Sequence, residues 1–445
     1  MDPRGNSPVW RRWRLQQGPV PSTIWGTLDS RVSAYGGYAL MRIPRLQVLT
    51  KVRYQTKKVR YQMKGPVMTS RRNILKLIGG GVVLAAAAGG GLIAMSGPSE
   101  AAREPWRKAG KYTEYRRRAL SYALLAPNPH NRQPWLVRLD GQDSLTLFCD
   151  LKRRLPATDP FDRQITIGCG AFLELLVLAA AQDGYLATIT PFPEGEDMKT
   201  LDQRPVAQVS FTKGGVSPDP LFAHVLARHS NKEVYEPRDV PAPALEQIAE
   251  AGRVFSASSQ TIGNTNLAER LRDLTWRAHL KEVTTPAANQ ESVDLMRIGA
   301  AEVSANPDGI ELEGPIFEVG RLVGFMTRET LADPTSTAFQ QGLELYRSMA
   351  LSARAFGWIT NENQSRIDQI NAGRAYVRMN LKATSLGLGV HPWSQSLQEY
   401  VEMKDLYREV HDLIAGDSRI QMLYRIGYGP KVGPTPRRGL EAHLV

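Results

Sequence analysis

The sequence predicts an α+β protein built as a tandem pair of similar α/β units, and three observations carry that expectation. Over residues 103–445, helical and strand periodicities alternate, with polar turns containing glycine or proline between them. These roughly 340 residues suffice for two ordinary domains or one large one. An internal echo at a shift of 203 residues lays Gly170 on Gly373, Leu173 on Tyr376, Leu176 on Met379, Leu178 on Leu381, Ala180 on Ala383 and Gly184 on Gly387. Both copies read as helices with a small-residue start and a glycine just past the end, where a left-handed cap is favoured.

Taken in order, residues 112–125 read as a helix, and 135–139 with 144–150 as a hairpin across Asp140-Gly141. Residues 167–182 form an apolar helix, and 187–191 and 206–212 are strands. A new helix begins over 219–228 and another spans 243–251. Residues 285–345 are mixed and irregular, 373–385 is a long helix, and 421–428 a late strand. The expected organisation is a first half over 103–218 and a second over 219–445, the latter carrying an insertion at 285–341. That insertion holds Gly309, Gly314, Gly320 and Gly324 and breaks at Pro307, Pro315 and Pro334. A connection of this length is usually functional or disordered. Its apolar pairs Ile316-Phe317, Leu322-Val323 and Phe325-Met326 need a surface to cover, so it is expected to act as a lid.

Ahead of these halves, Ser70-Arg71-Arg72-Asn73-Ile74-Leu75-Lys76 precedes a glycine- and alanine-rich apolar run to Met95. This pattern reads as a twin-arginine signal peptide over 68–102, its mild hydrophobicity suiting a transported leader better than a permanent anchor. Ser99 and Ala101 supply small residues for cleavage after Ala101. The expected location is therefore the periplasm or cell surface, with the twin-arginine translocation machinery as a partner and membrane attachment if the leader is retained. Residues 1–67 contain the tandem heptads KVRYQTK and KVRYQMK and read as an upstream mis-start, with translation from Met68 or Met63. The competing reading is a basic, disordered arm for nucleic acid or anionic lipid. Charge favours the first. Residues 1–76 hold 16 of the 56 Lys and Arg but 2 of the 44 Asp and Glu, which leaves 40 basic against 42 acidic beyond them. The basic balance belongs to the leader, and no nucleic-acid partner is expected.

Composition excludes several chemistries. The two cysteines, Cys149 and Cys169, read as buried thiols rather than a disulfide framework. No CxxC, HExxH, GxSxG or Walker-A pattern occurs, and the seven histidines lack metal-ligand spacing. No metal and no side-chain triad is expected.

Three segments carry chemistry instead. Arg228-His229-Ser230-Asn231-Lys232 gathers a bidentate guanidinium, a hydroxyl and an ammonium into a compact anion site. Pro436-Arg437-Arg438, just past the late strand, could close on the same anion. The loop Ala126-Pro127-Asn128-Pro129-His130-Asn131-Arg132-Gln133-Pro134-Trp135 is stiffened by proline and presents Asn131 and Gln133, whose amides can read a heteroaromatic edge.

Together these segments resemble the flavin-dependent nitroreductase family. There an R-H-S-x-K segment holds the FMN phosphate, a loop ending N-x-Q-P-W covers the flavin from the partner of an obligate dimer, and a late basic pair completes the phosphate site. The resemblance implies FMN as cofactor, held by Arg228, Ser230, Lys232, Asn131, Gln133, Arg437 and Arg438, with main chain near Ser394 and Gln395 approaching the flavin N5. It implies that the flavin carries the chemistry, that Lys232 tunes it electrostatically, and that NAD(P)H is a donor. Asn128 and Pro129 stand where the family loop has two serines. The loop lies in the first half and the phosphate motif in the second, each half lacking what the other keeps. That is the pattern of a fused dimer: mixed, mostly antiparallel sheets flanked by helices, forming a monomeric pseudo-dimer with one site. The phrase Asp159-Pro160-Phe161-Asp162-Arg163 further resembles the single-chain, Acg-like branch, in which a lid covers the flavin. Three readings stay open at this point: two-electron reduction of a nitroaromatic, quinone or similar planar acceptor, a non-catalytic protein that binds or sequesters flavin beneath its lid, and a degenerate scaffold with no cofactor.

Overall fold

The computed structural model describes residues 97–445, which fall within one compact unit, Thr69–Val445. The heptads, the paired arginines and the apolar run lie outside the described residues.

The first half begins with α1 (Tyr115–Ala123), followed by β1 (Trp135–Asp140), β2 (Ser144–Cys149), α2 (Arg163–Gln182), β3 (Tyr185–Pro191) and β4 (Ala207–Lys213). The second runs α3 (Ala242–Ala251) and β5 (Ser258–Ile262), then a long insertion containing α4 (Asn266–Thr284), α5 (Pro286–Asp294) and α6 (Thr337–Leu351). It resumes with β6 (Ala355–Asn361), α7 (Arg366–Ser385), β7 (Gly389–Pro392) and β8 (Arg419–Gly427). Each half forms a four-stranded antiparallel sheet, in the orders β1-β2-β4-β3 and β5-β6-β8-β7. The two orders are the same, with the long helix between the second and third strands of each.

The expected α+β class and two-unit arrangement are therefore present, and the packing of α2 on α7 gives the echo a physical content. Gly170 and Gly373 sit at the crossing: an added Cβ would lie 2.1 Å from the Ile370 carbonyl oxygen in one case and 1.9 Å from that of Ile167 in the other. Ile167 and Ile370 are themselves 203 residues apart, so the contact is self-complementary, as at a two-fold axis. Arg163 and Arg366 hold the same relation. Both are buried, and each crosses over: Arg163 donates to the carbonyls of Leu397 and Gln421, Arg366 to that of Asp197. Gly184 and Gly387, just past the helix ends, have φ of 72° and 71°. α2 is long and apolar enough to cross a membrane, but it lies buried in the fold.

Several elements differ from the sequence expectation. The helix expected over 219–228 is a short 3-10 turn, Pro220–His224, because the stretch is too short to propagate a helix and must straighten before Arg228. Strands β5 and β6 were not expected. The first is the polar run SSQTI, and the second is buried at every position and shows no alternation. The insertion is longer than 285–341, since it fills the whole β5–β6 connection where β1 and β2 are joined by a tight turn. Its first helix, α4, packs Leu271 and Leu274 into a core with Leu397 and Leu423. The remainder is a chain of short helices with one two-stranded parallel ladder, Met296–Ile298 beside Ile310–Leu312. Cys149 and Cys169 are free and buried.

Candidate active site

A cavity of about 330 Å³ lies where both halves and the insertion meet. Its walls are the 127–131 loop, the 228–232 segment, the start of α2 with Tyr376 of α7, and the turn from His391 to Gln395. The insertion closes the remaining side through His279, Glu282, Ser292, Gly309, Phe339 and Tyr346.

The 228–232 segment is extended because it pairs with β7: Ser230 bridges Val390, and the Asn231 amide donates to the Val390 carbonyl at 2.9 Å. Asn231 also donates through Nδ2 to the Pro430 carbonyl. Arg425, buried in β8, donates to the carbonyls of Glu233 and Met349, both at 2.8 Å, and to His391 Nδ1 at 3.1 Å. Arg425 thus fixes the loop, the end of α6 and β7 together. The sequence reading missed it, and its signal was a lone arginine inside the apolar run of β8.

One end of the cavity is cationic. Arg228 is buried and donates through Nη2 to the Leu125 carbonyl at 3.0 Å, while its Nε and Nη1 have no partner among the described residues. Arg437, also buried, donates through Nε to the Leu124 carbonyl at 3.0 Å and through Nη1 to Asn131 Oδ1 at 2.7 Å. Burial pulls the Arg228 guanidinium down to about 10. Burial, with the Arg228 charge, pulls Arg437 down to about 9. Guanidinium nevertheless keeps its charge at neutral pH, so the shifts register stress rather than deprotonation. Two like charges with no salt-bridge partner among the described residues, with Glu311 acting on Arg437 beyond ion-pair reach, make this end an anion site. Beside them His229 packs on Trp106 with ring centroids 4.7 Å apart, and burial followed by the two guanidiniums holds its imidazole down to about 4.

The 127–131 loop is strained. His130, Asn131 and Gln133 have φ of 47°, 51° and 50°, in the left-handed region that such residues seldom occupy. Asn128 Oδ1 holds the turn by accepting from the Gln133 amide at 2.7 Å. The insertion braces it from above: Gly309 donates to the Asn131 carbonyl at 3.2 Å and Gln133 Nε2 to the Pro307 carbonyl at 2.9 Å. Asp308 is gripped by Arg153, Arg297 and Arg132, and Glu291 accepts from the amides of Ala157 and Thr158. Burial would raise the Asp308 carboxyl, but Arg153 and Arg297 hold it below the usual range.

Of the nine residues expected at the site, Asn131, Arg228, Ser230, Lys232, Ser394, Gln395 and Arg437 line the cavity. Gln133 and Arg438 do not. Gln133 is fully buried, and its amide is spent on the Asn131 and Pro307 carbonyls and the Arg438 amide, so it shapes the loop. The Arg438 side chain donates to the Ala442 carbonyl. Asn131 has one partner at each amide atom, Oδ1 accepting from Arg437 and Nδ2 donating to the Pro436 carbonyl. The Ser394 hydroxyl is tied to Leu423, whereas Gln395 Oε1 is a buried acceptor without a partner among the described residues. Lys232 stands exposed at the rim. A cationic end and an unpartnered acceptor farther along fit an elongated ligand with an anionic terminus and a polar ring. No group of three His, Cys, Asp or Glu among the described residues could hold a metal ion.

Residues 225–428 match the model of the nitroreductase family. A candidate NAD(P)H nitroreductase of Mycobacterium tuberculosis is 27% identical over 331 residues, covering 73% of this chain and 89% of its own length. A second from that organism, named acg, is 38% identical over 86 residues, 19% of this chain and 25% of its own. Among solved structures, the FMN-dependent nitroreductase NfnB of Mycobacterium smegmatis in complex with NADPH is 17% identical, with a TM-score of 0.30 over 48% of this chain and 92% of that one. A Bacteroides fragilis nitroreductase with bound FMN gives 14% and 0.30, over 50% and 96%.

Proposed function

We propose, from the premise that this chain belongs to the nitroreductase family, that it is an exported FMN-dependent oxidoreductase. It would carry out two-electron reduction of nitroaromatic, quinone or similar planar acceptors at the expense of NAD(P)H. The observation that carries this reading is the pair of buried guanidiniums, Arg228 and Arg437, on the wall of the cavity of about 330 Å³. The free Nε and Nη1 of Arg228 suit a phosphate dianion, which would relieve the cost of burying two cations. Ser230 adds a hydroxyl at this end. Gln395 and the main chain beside Ser394 would meet the ring, and Lys232 would place a positive charge at its margin. When bound, FMN supplies a ring that accepts a hydride from a nicotinamide and passes it to the acceptor. The residues bind and orient it, and the insertion restricts access from solvent.

Export rests on the paired arginines and on the near-neutral charge of residues 77–445. The repeated sheet order and the self-complementary α2–α7 crossing support a monomer in which two fused halves share one site. A second reading, a flavin-sequestering protein without turnover, draws support from the Asp308 cluster, which ties the insertion down across the loop.

Replacing Arg228 by alanine tests the assignment. A charge-assisted hydrogen-bonding cation of this kind is worth about 1.5–3 kcal/mol, so FMN affinity should fall roughly 10- to 100-fold. Unchanged affinity by fluorescence titration would remove the phosphate assignment. Anaerobic NADPH separates the two readings: bleaching of the bound flavin and its recovery on adding a quinone support turnover, and a spectrum that does not respond supports sequestration.

A further inference from the structure

We infer that His279, held by Glu282, is the proton donor to the acceptor during reduction. This inference rests on the oxidoreductase reading above. His279 and Glu282 lie on successive turns of α4, and His279 Nδ1 is 3.7 Å from a Glu282 carboxylate oxygen, within ion-pair but not hydrogen-bond reach, with no hydrogen-bond partner of its own among the described residues. The imidazole stacks on Tyr346 at 4.3 Å, and Glu282 accepts from Gln398 Nε2 at 2.6 Å. The pair is thereby fastened to the insertion on one side and, on the other, to the turn that carries Ser394 and Gln395. Both residues line the cavity and are nearly closed to solvent, at 5% and 6% exposure.

A buried carboxylate is costly and is normally offset by arginine or lysine. Among the described residues Glu282 is instead favoured in its ionised form chiefly by His279, with Gln398 donating a hydrogen bond to it. Burial would raise its carboxyl, yet His279 and the other neighbours hold it below the usual range. The other titratable groups around the pair are His130 on the loop, Glu291 on α5, Lys232 and His391 on the opposite wall, Tyr346 on α6, and Tyr400. Burial lowers His130 and, more strongly, His391, so neither is a ready donor.

Reduction of a quinone needs a hydride, here supplied ultimately by NAD(P)H, and a proton. The proton leaves His279 as the new O–H bond forms and the carbonyl π bond breaks, giving a quinol and a neutral imidazole that solvent reprotonates between turnovers. His279 lines the cavity wall, where it can deliver that proton to an acceptor bound in the cavity. His279 is the catalytic residue, and Glu282 is a positioning residue that acts through it.

The test compares 1,4-naphthoquinone, which takes up protons, with ferricyanide, which takes electrons alone. In His279→Gln the ratio of the two rates should fall about 100-fold, and the alkaline limb of the quinone pH profile should disappear. Glu282→Gln should lower the ratio less and displace the limb. In flavin-free protein labelled with ¹⁵N-histidine, Glu282→Gln should move the His279 Nδ1 resonance. An unchanged ratio and limb in a His279→Gln protein that still shows bound flavin would overturn the proton role, and an unmoved His279 Nδ1 resonance would overturn the pairing. Wild-type protein that binds no flavin would instead sink the oxidoreductase reading.

Discussion

Gly373→Ala is expected to lower thermal stability drastically or to prevent folding. The new Cβ would lie 1.9 Å from the Ile167 carbonyl oxygen and 2.8 Å from the Ala171 nitrogen, both backbone atoms that no side-chain rotation can move aside. The helices would have to separate, and their separation would open both cores: Ile370, Val377 and Leu381 of α7 pack in the first-half core, and Ile167 of α2 in the second. Overpacking costs typically about 1–3 kcal/mol where side chains can yield, so a loss above about 3 kcal/mol is expected here. Gly170→Ala should behave alike, since its Cβ would lie 2.1 Å from the Ile370 carbonyl oxygen. Gly433→Ala, with open space around the added methyl, serves as a control and should melt within a degree or two of wild type. Calorimetry that finds Gly373→Ala as stable as the control would contradict the close helix crossing and the two-fold relation built on it.

Acid should unfold the protein well before its carboxylates are titrated. Five of the seven histidines are held neutral by burial: His443 is lowered to about 3 and His229 to about 4, while His130, His391 and His411 are also lowered. In the unfolded chain each would take up a proton near pH 6.5. The unfolded state therefore binds more protons below that pH, and stability is lost as pH falls from about 6.5 toward each folded value. His443 is fully buried, with Nδ1 on the Trp135 carbonyl, and by itself contributes on the order of several kcal/mol across this window. Asp159 works the other way. Burial raises it to about 6, so it gains a proton on acidification and offsets part of the loss. The net expectation is a steep fall in melting temperature between pH 6.5 and 4, reduced in His443→Gln. A melting temperature flat across that range would show these histidines to be exposed to water.

The sequence disclosed what leaves a mark in residue type. The crossing helices were legible because their closest approach tolerates only glycine, which left Gly170 and Gly373 in register with the capping glycines Gly184 and Gly387. Strands β5 and β6 were not legible, the first being polar and the second buried on both faces, so neither shows a period of two. At the site, Arg228-His229-Ser230-Asn231-Lys232 announced an anion, but residue type could not tell which polar atoms the fold consumes. Gln133 and Asn131 spend amide contacts on the insertion and on the 436–438 segment, and Arg438 turns to Ala442. His279 and Glu282 belong to no motif, and only three-dimensional packing brings them to the cavity wall, while Arg425 fixes the 228–232 segment without lining the cavity itself.

If two fused halves share a single FMN site, as proposed, the purified chain is a yellow monomer carrying one FMN, as read from its visible spectrum, its released-flavin content and its mass by analytical ultracentrifugation. A colourless protein that takes up no FMN, or one carrying two per chain or sharing sites across a tight homodimer, would contradict that proposal.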